Sequence, residues 1–410
     1  MEPDVIVVGA GAAGLACMRD LERGGLRVLC LEARDRTGGR IHTVHDGYPM
    51  ELGAEFVHGR PREIFEIADA AGLHVDEMSG RMLYAVDGNT FQAEEEGGPV
   101  MDDLKQQASA EHDESLLQFL DRSQYSDDQK QEAIGYAEGF NAACKEELSV
   151  ASLAKEMLAA DEIEGHSTFR VREGYDALVR AIAQGEIRLR SVVESIAWWP
   201  GECRVRLASG EERRAARVVV TVPLGVLQAG TIRFDPEPPG ILEAARALRF
   251  GQAVRVTLRF ERAFWEELAA FSDLGFLFSD QPVFPVWWSR RPWRDPVLTA
   301  WSAGSKADPL LGLGKGDIVS RALESLERIL GTRPAAVTGT WFHDWHADPF
   351  SRGAYSWVPA GALPARDTLA RPVADTLYFA GEATDLLGYG GTVHGAIASG
   401  RRAARQIIGD

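Results

Sequence analysis

The chain has little cysteine. Cys17, Cys30, Cys144 and Cys203 are widely spaced and form no Cys-x-x-Cys pair. This excludes a cysteine-built metal knuckle and a dense disulfide framework, and it fits a reducing, cytoplasmic setting. An unbroken apolar run of about 18 residues, long enough to cross a bilayer, is also missing, so no membrane partner is expected. The start, Met1-Glu2-Pro3-Asp4, lacks the positive flank of a secretory leader; the uncharged stretch that follows to Met18 is glycine-punctuated and reads as folded core. Basic residues are outnumbered, 44 Lys and Arg against 61 Asp and Glu, for a net charge of −17. Phosphate neutralisation needs clustered cations, so a nucleic-acid partner is excluded, whereas a cationic small molecule would be steered inward. Repeats and low-complexity linkers are absent as well.

What is present begins with size: 410 residues, 45% of them hydrophobic, which exceeds a single core and predicts two domains. The stretch VIVVGAGAAGLACMRDLERGGLRVLCLE reads as strand (Val5 to Val8), glycine turn, helix (Ala12 to Arg23), Gly24-Gly25 stop and second buried strand (Arg27 to Leu31), a βαβ unit. From about 92 to 162 an acidic, largely helical insertion is expected, opening with Glu94, Glu95 and Glu96. Strands follow to Val218–Val222. Eight of the ten tryptophans fall between Phe264 and Trp357, which suggests an aromatic-lined pocket in that half. The last 35 residues again read as strand, glycine turn and helix.

Gly9-x-Gly11-x-x-Gly14 gains specificity from its place between strand and helix and from Glu32, eighteen residues beyond Gly14 at the end of the next strand. Gly9 permits the turn, Gly11 admits a diphosphate to the helix N-terminus and Gly14 lets helix and strand pack closely. The Glu32 carboxylate would accept from ribose hydroxyls. Arg34, Arg36, Gly38-Gly39 and Arg40 then supply cations and bare backbone for a longer cofactor.

Five blocks, LEARDRTGGR (31–40), GAEFVHG (53–59), TVPLGVL (221–227), DPFSRGAYSW (348–357) and LYFAGEATDLLGYGGTVHGAIASG (377–400), resemble in this order the flavin-dependent amine oxidases. That family includes monoamine oxidases, polyamine oxidases and lysine-specific demethylases, and the resemblance spans positions 5 to 408. It implies an α/β fold: a Rossmann-like FAD-binding domain from residues 1–75, 165–235 and 360–410, and an α+β, mixed-sheet substrate domain from 76–164 and 236–359. FAD would be held non-covalently, since Ala354 stands where covalent relatives place cysteine. Its ADP half would meet Gly9, Gly11, Gly14, Glu32 and Ala33, with Val193 at the adenine edge. Arg34, Gly39 and Arg40 would face the diphosphate and flavin side, Glu382 the ribityl chain, and Gly53, Ala54, Glu55, Gly381, Thr392 and Val393 would complete the contacts.

The implied reaction passes a hydride from the carbon beside a neutral amine to flavin N5, leaves an imine for hydrolysis, and returns electrons to molecular oxygen as hydrogen peroxide. Four residues are singled out at the reacting end. Tyr355 matches one aromatic wall of the family, although a satisfied core tyrosine would read alike. Thr392 replaces the second tyrosine of several relatives. Arg255 stands where the family usually has a lysine water-linked to N5; as a permanent cation it is no base, and it could stabilise reduced flavin, bind a substrate carboxylate or snorkel from a strand. His58 resembles the histidine near the substrate entrance of the vertebrate-type polyamine oxidases, and with Glu55, an acid of the same loop, it could read a cationic amine. His343-x-x-His346, near Asp344 and Asp348, belongs to a family block and is assigned no metal. Two alternatives stay open: an L-amino-acid oxidase or desaturase-type dehydrogenase gripping a carboxylate through Arg255, and a low-turnover flavin-bearing interaction protein. The oligomeric state is left open.

Overall fold

The computed structural model describes residues 2–86, 88–92, 98–109 and 112–409; Glu94, Glu95 and Glu96 of the acidic run lie outside the described residues. Val5–Val8 is a strand, Ala12–Arg23 a helix and Val28–Leu31 the second strand, one residue shorter than the pattern predicts. Alternate side chains of the first strand enter different cores. Val5 and Val7 pack with the Ala12–Arg23 and Val393–Ile408 helices, while Ile6 and Val8 pack beneath the Val193–Trp199 and Glu202–Leu207 hairpin. Burial on both faces is the physical reason that the run is continuously apolar.

Five parallel strands make this sheet, in the order Glu186–Arg188, Val28–Leu31, Val5–Val8, Arg217–Val220, Leu377–Phe379. Their carboxyl ends lie along one edge, so Gly9, Glu32, Thr221 and Gly381 emerge on the same side. In open α/β sheets that edge is where ligands bind. The first and last helices cross closely because glycine allows it: a Cβ on Gly400 would stand 2.1 Å from the Ala13 carbonyl oxygen.

A second, seven-stranded mixed sheet runs Val337–Trp341, Ala253–Phe260, Val297–Ala303, Val286–Ser289, Leu274–Ser279, Arg81–Val86, Asn89–Gln92. Along Ala253–Phe260 the even positions, Val254, Val256, Leu258 and Phe260, enter the aliphatic core beside Trp265 and Trp287. The period of two therefore turns Arg255 and Thr257 to the other face, where both are still buried. The expected helical insertion is realised as Pro99–Lys105, Leu116–Asp121, Asp127–Gly139 and Val150–Glu162. Ser115 with Gln118, and Ser126 with Gln129, form capping boxes that start two of these helices. Trp357 packs into their shared core and ties the insertion to the rest.

Candidate active site

At the sheet's carboxyl edge the glycine turn is built as its spacing predicts. Gly9 has φ +108°, and a Cβ on Gly14 would lie 1.9 Å from the Gly9 carbonyl oxygen, so neither position admits a side chain. Gly11 differs: nothing lies within 4 Å of where its Cβ would be, and the clear space sits at the first turn of a helix. The 37–39 loop folds over it. The Gly38 N–H donates to the Ala10 carbonyl at 2.8 Å, and a Cβ on Gly39 would come to 3.4 Å of Gly11 Cα. Glu32, 4% exposed, accepts from the Ala10 N–H (2.8 Å) and the Arg34 N–H (2.9 Å), which fixes its carboxylate beside that space; Ala33 follows it, half-buried. The Ser191 N–H donates to the Glu32 carbonyl at 2.8 Å and brings buried Val193 alongside.

The three arginines of LEARDRTGGR part company. Arg34 turns its guanidinium to Asp348 (2.8 Å) and lies over the Phe350 ring at 5.5 Å. Arg36 donates to the carbonyls of Thr37, Gly39 and Ile41 and so staples its own loop. Arg40 crosses to the C-terminal strand-turn-helix, meeting the Ala354 carbonyl at 2.6 Å and Glu382 at 2.9 Å. Burial pushes the Glu382 carboxyl up, but Arg40 and the Ser356 hydroxyl (2.6 Å) outweigh it and hold Glu382 below the usual carboxylate range. Its second oxygen also accepts the Gly391 N–H at 3.0 Å. Gly381, just before it, has φ +133°.

Thr392 is the N-cap of the Val393–Ile408 helix. Its Oγ accepts from the Gly395 N–H (3.0 Å) and donates to the Tyr389 carbonyl (2.7 Å), so the hydroxyl is used in shaping the turn. Val393 packs against the helix core. His394 follows, buried, with its ring 4.8 Å from Tyr389; burial pushes its imidazole down to about 3.

Tyr355 stands against Gly391, its ring 3.2 Å from where a Cβ there would lie, and donates its hydroxyl to the Phe140 carbonyl at 2.6 Å. The helical insertion therefore supplies part of this wall. The Phe140 ring stacks on Tyr136 (5.2 Å) and meets His58 edge-on (5.1 Å). Burial pushes the His58 imidazole down to about 4, leaving it neutral at ordinary pH. Phe56 continues the series to Trp288 (5.2 Å) and Phe276 (5.6 Å), and Trp288 to Trp301 (6.1 Å). Of the eight clustered tryptophans these two join the wall. Trp265 and Trp287 fill the aliphatic core, Trp345 donates to the Leu52 carbonyl, and Trp357 packs on the insertion.

Arg255 corrects the snorkelling alternative, for it is 4% exposed and reaches no water. Its guanidinium donates to the Gly53 carbonyl and to Glu55 Oε2, both at 2.6 Å. Arg170 holds Glu55 Oε1 at 2.7 Å, and Trp288 donates to Oε2 at 3.1 Å. Burial pushes Glu55 up, yet the two guanidinia prevail and keep it ionised. The charge of Arg255 is thus already answered, and its other task is to hold the Gly53-Ala54 backbone. His343 bonds to Asp348 (2.8 Å) and His346 to Gln252 (3.1 Å), separate partners.

Phe140, Arg170 and Trp288 lie outside the motif blocks, and Ser356 and His394 lie within them without having been singled out. Arg170 left a trace, as a charge inside the strand Thr168–Val171. The features along the edge fit an extended dinucleotide: clear space at Gly11, bare backbone at Gly38-Gly39, a fixed acid at Glu32, the Arg40–Glu382 pair and a capped helix N-terminus.

The family model described as "Flavin containing amine oxidoreductase" matches residues 12–408. Polyamine oxidase 4 of Oryza sativa subsp. japonica is 31% identical, over 98% of this chain and 88% of its own length. Lysine-specific histone demethylase 1 homolog 2 of the same plant is also 31% identical, over 98% of this chain and 57% of its own. Among solved structures, wild-type putrescine oxidase bound to putrescine superposes with a TM-score of 0.86 at 24% identity, covering 100% of both chains. Cyclohexylamine oxidase from Brevibacterium oxydans gives 0.85 at 21%, covering 100% of this chain and 99% of that one. At such identities these structures speak for the fold.

Proposed function

The chain belongs to the flavin-containing amine oxidoreductases and is an FAD-dependent oxidoreductase, and from that premise we propose that it oxidises a primary or secondary aliphatic or polyamine-like amine. When bound, FAD would supply the redox chemistry, accepting a hydride from the carbon beside the amine nitrogen so that an imine is left for hydrolysis, with oxygen as the final acceptor giving hydrogen peroxide. We assign the cofactor to residues 1–75, 165–235 and 360–410 and the amine to 76–164 and 236–359. The clear helix end at Gly11 would receive the diphosphate, Glu32 the ribose and Glu382, braced by Arg40, the ribityl chain; Val193 would border the adenine. Binding is non-covalent, with alanine at 354. Gly53, Ala54 and the Thr392–Val393 turn would border the ring, held in place by Arg255 and by the Thr392 cap.

The observation that carries the reading is the wall formed by Tyr355, Phe140, neutral His58, Phe56 and Trp288 beside the Gly391 turn. Such a wall orients an amine by ring faces and excludes water, and its un-ionised histidine does not repel a cation arriving along the acidic surface. The polyamine oxidase relative supports a substrate of this kind. An amino-acid substrate is disfavoured because its carboxylate would have to displace Glu55 from a buried pair. Among the described residues no helix is long and apolar enough to cross a membrane; a cytoplasmic location is the setting we propose.

Anaerobic mixing with a panel of mono-, di- and polyamines tests the function. Loss of the oxidised-flavin absorbance with at least one amine is expected, and peroxide should appear on admitting air. FAD-loaded protein that no amine bleaches would refute the reading.

A further inference from the structure

A small cavity, with about 20 Å³ of free volume, lies between the Tyr48–Glu51 and Thr168–Val171 strands and the paired Ala253–Phe260 and Val297–Ala303 strands. Its walls carry Arg170, Arg255, Arg290, Glu51 and Glu55. Glu55 comes from the GAEFVHG block and Arg255 from the position of the family lysine, while Glu51, Arg170 and Arg290 belong to none of the blocks.

The charges in this wall do not balance. Glu55 is shared by Arg170 and Arg255, and Arg290 pairs with Asp295 at 3.3 Å, so one guanidinium is in excess unless Glu51 is ionised. Glu51 is a poor counter-charge. Burial pushes its carboxyl up to about 7, against the opposing pull of its hydrogen bonds, with Glu55 adding to the rise and Arg255 working against it. Its two oxygens are already taken by the Thr43 hydroxyl (2.7 Å) and the Tyr175 N–H (2.8 Å).

Donors are also in surplus. Arg255 Nε, like several other arginine Nε atoms, is buried without a hydrogen-bond partner among the described residues, and a bound water or ion would supply one. Beside it the Thr257 and Thr299 hydroxyls, 3.1 Å apart, either of which can donate, line the same space. Arg290 is clamped between the Tyr48 and Trp293 rings (5.3 and 5.0 Å) with one nitrogen on the Pro49 carbonyl (2.8 Å), so its position is preset. A buried excess cation, an unanswered N–H and adjustable hydroxyls around one small void are the elements of an anion site.

We propose that this cavity binds one small monovalent anion, of halide size, between Arg255, Arg290 and the Thr257–Thr299 pair. It adjoins the amine wall on the sheet face opposite the aliphatic core, where Trp301 stands across from Arg255 and Trp288 donates to Glu55. Crystals of the FAD-loaded protein soaked in bromide test this directly: an anomalous peak is expected inside the cavity. In solution, bromide titrated at constant ionic strength against a bulky inert anion, followed by calorimetry, should saturate with one site.

Two variants separate binding from folding. Glu51→Gln removes a competing negative charge with little change of shape and should tighten bromide by about tenfold or more at about pH 8. A gain of this kind cannot come from misfolding. Arg290→Met should weaken binding by a similar factor. A cavity that holds waters only, or an affinity that Glu51→Gln leaves unchanged or lowers, would overturn the proposal.

Discussion

Arg255 and Glu55 form a buried ion pair at 2.6 Å, and Arg170 closes on the other oxygen of the same carboxylate at 2.7 Å. One carboxylate thereby joins the seven-stranded sheet, through Arg255, to the Thr168–Val171 strand, through Arg170. The Gly53 carbonyl hangs from the same guanidinium. Removing the shared acid would strand two buried cations. Glu55→Ala is therefore expected to lower stability by about 3–5 kcal/mol, read by urea unfolding; a loss under about 1 kcal/mol would mean that the triad is not holding these strands together.

Glycine positions in one motif should fail in different ways. At Gly11 a methyl group meets open space, so Gly11→Ala should melt like the unaltered apoprotein yet lose FAD affinity by about ten- to a hundredfold, the cost of one methyl forced into a filled site. At Gly14 the methyl would meet the Gly9 carbonyl at 1.9 Å, and Gly14→Ala should melt well below the parent even without cofactor. Equal melting points for the two variants would contradict this division. Differential scanning calorimetry of the apoproteins and FAD absorbance after desalting make the comparison.

Tyr355 offers a ring to the wall and a hydroxyl to Phe140. Tyr355→Phe keeps the ring and gives up one neutral hydrogen bond, about 1 kcal/mol of local stability, so kcat/KM for the preferred amine should stay within the same decade. Tyr355→Leu removes the ring face and should cost about tenfold or more. If Phe is as damaging as Leu, the hydroxyl carries the role and the wall argument falls.

Stability should fall with rising pH through the range of Glu51. Its folded carboxyl is raised to about 7 from an unfolded value of 4.5, so between these values the folded state holds the extra proton. Burial of the charged form then destabilises fully above about pH 7 and not at all below about pH 4.5, a difference of roughly 3 kcal/mol at most. Glu51→Gln should flatten this slope and be the more stable protein at about pH 8. An unchanged slope in urea unfolding across pH 5 to 8 would show that Glu51 titrates normally.

Much of this is legible in the sequence itself. The unbroken apolar run Val5–Val8, the Gly9-Gly11-Gly14 spacing and Glu32 announce a buried parallel strand and its nucleotide turn, because local sterics and doubly covered strands leave their mark within a few residues. The fate of the arginines could not be read. Arg34, Arg36 and Arg40 look alike in LEARDRTGGR, yet one meets Asp348, one staples its own loop and one reaches Glu382. Thr392 stands in the sequence where several relatives have a tyrosine, and its hydroxyl caps a helix.

Composition, periodicity and glycine spacing are short-range properties, and they alone determined that this chain builds an acidic α/β protein with a dinucleotide edge. Tertiary structure decided which cation answers which acid. Glu55 and Arg255 lie 200 residues apart, Arg40 and Glu382 lie 342 apart, and a long flexible guanidinium carries no local preference that names a distant partner. Only tertiary packing, with the desolvation that makes an unpaired charge intolerable in the interior, selects the pairs.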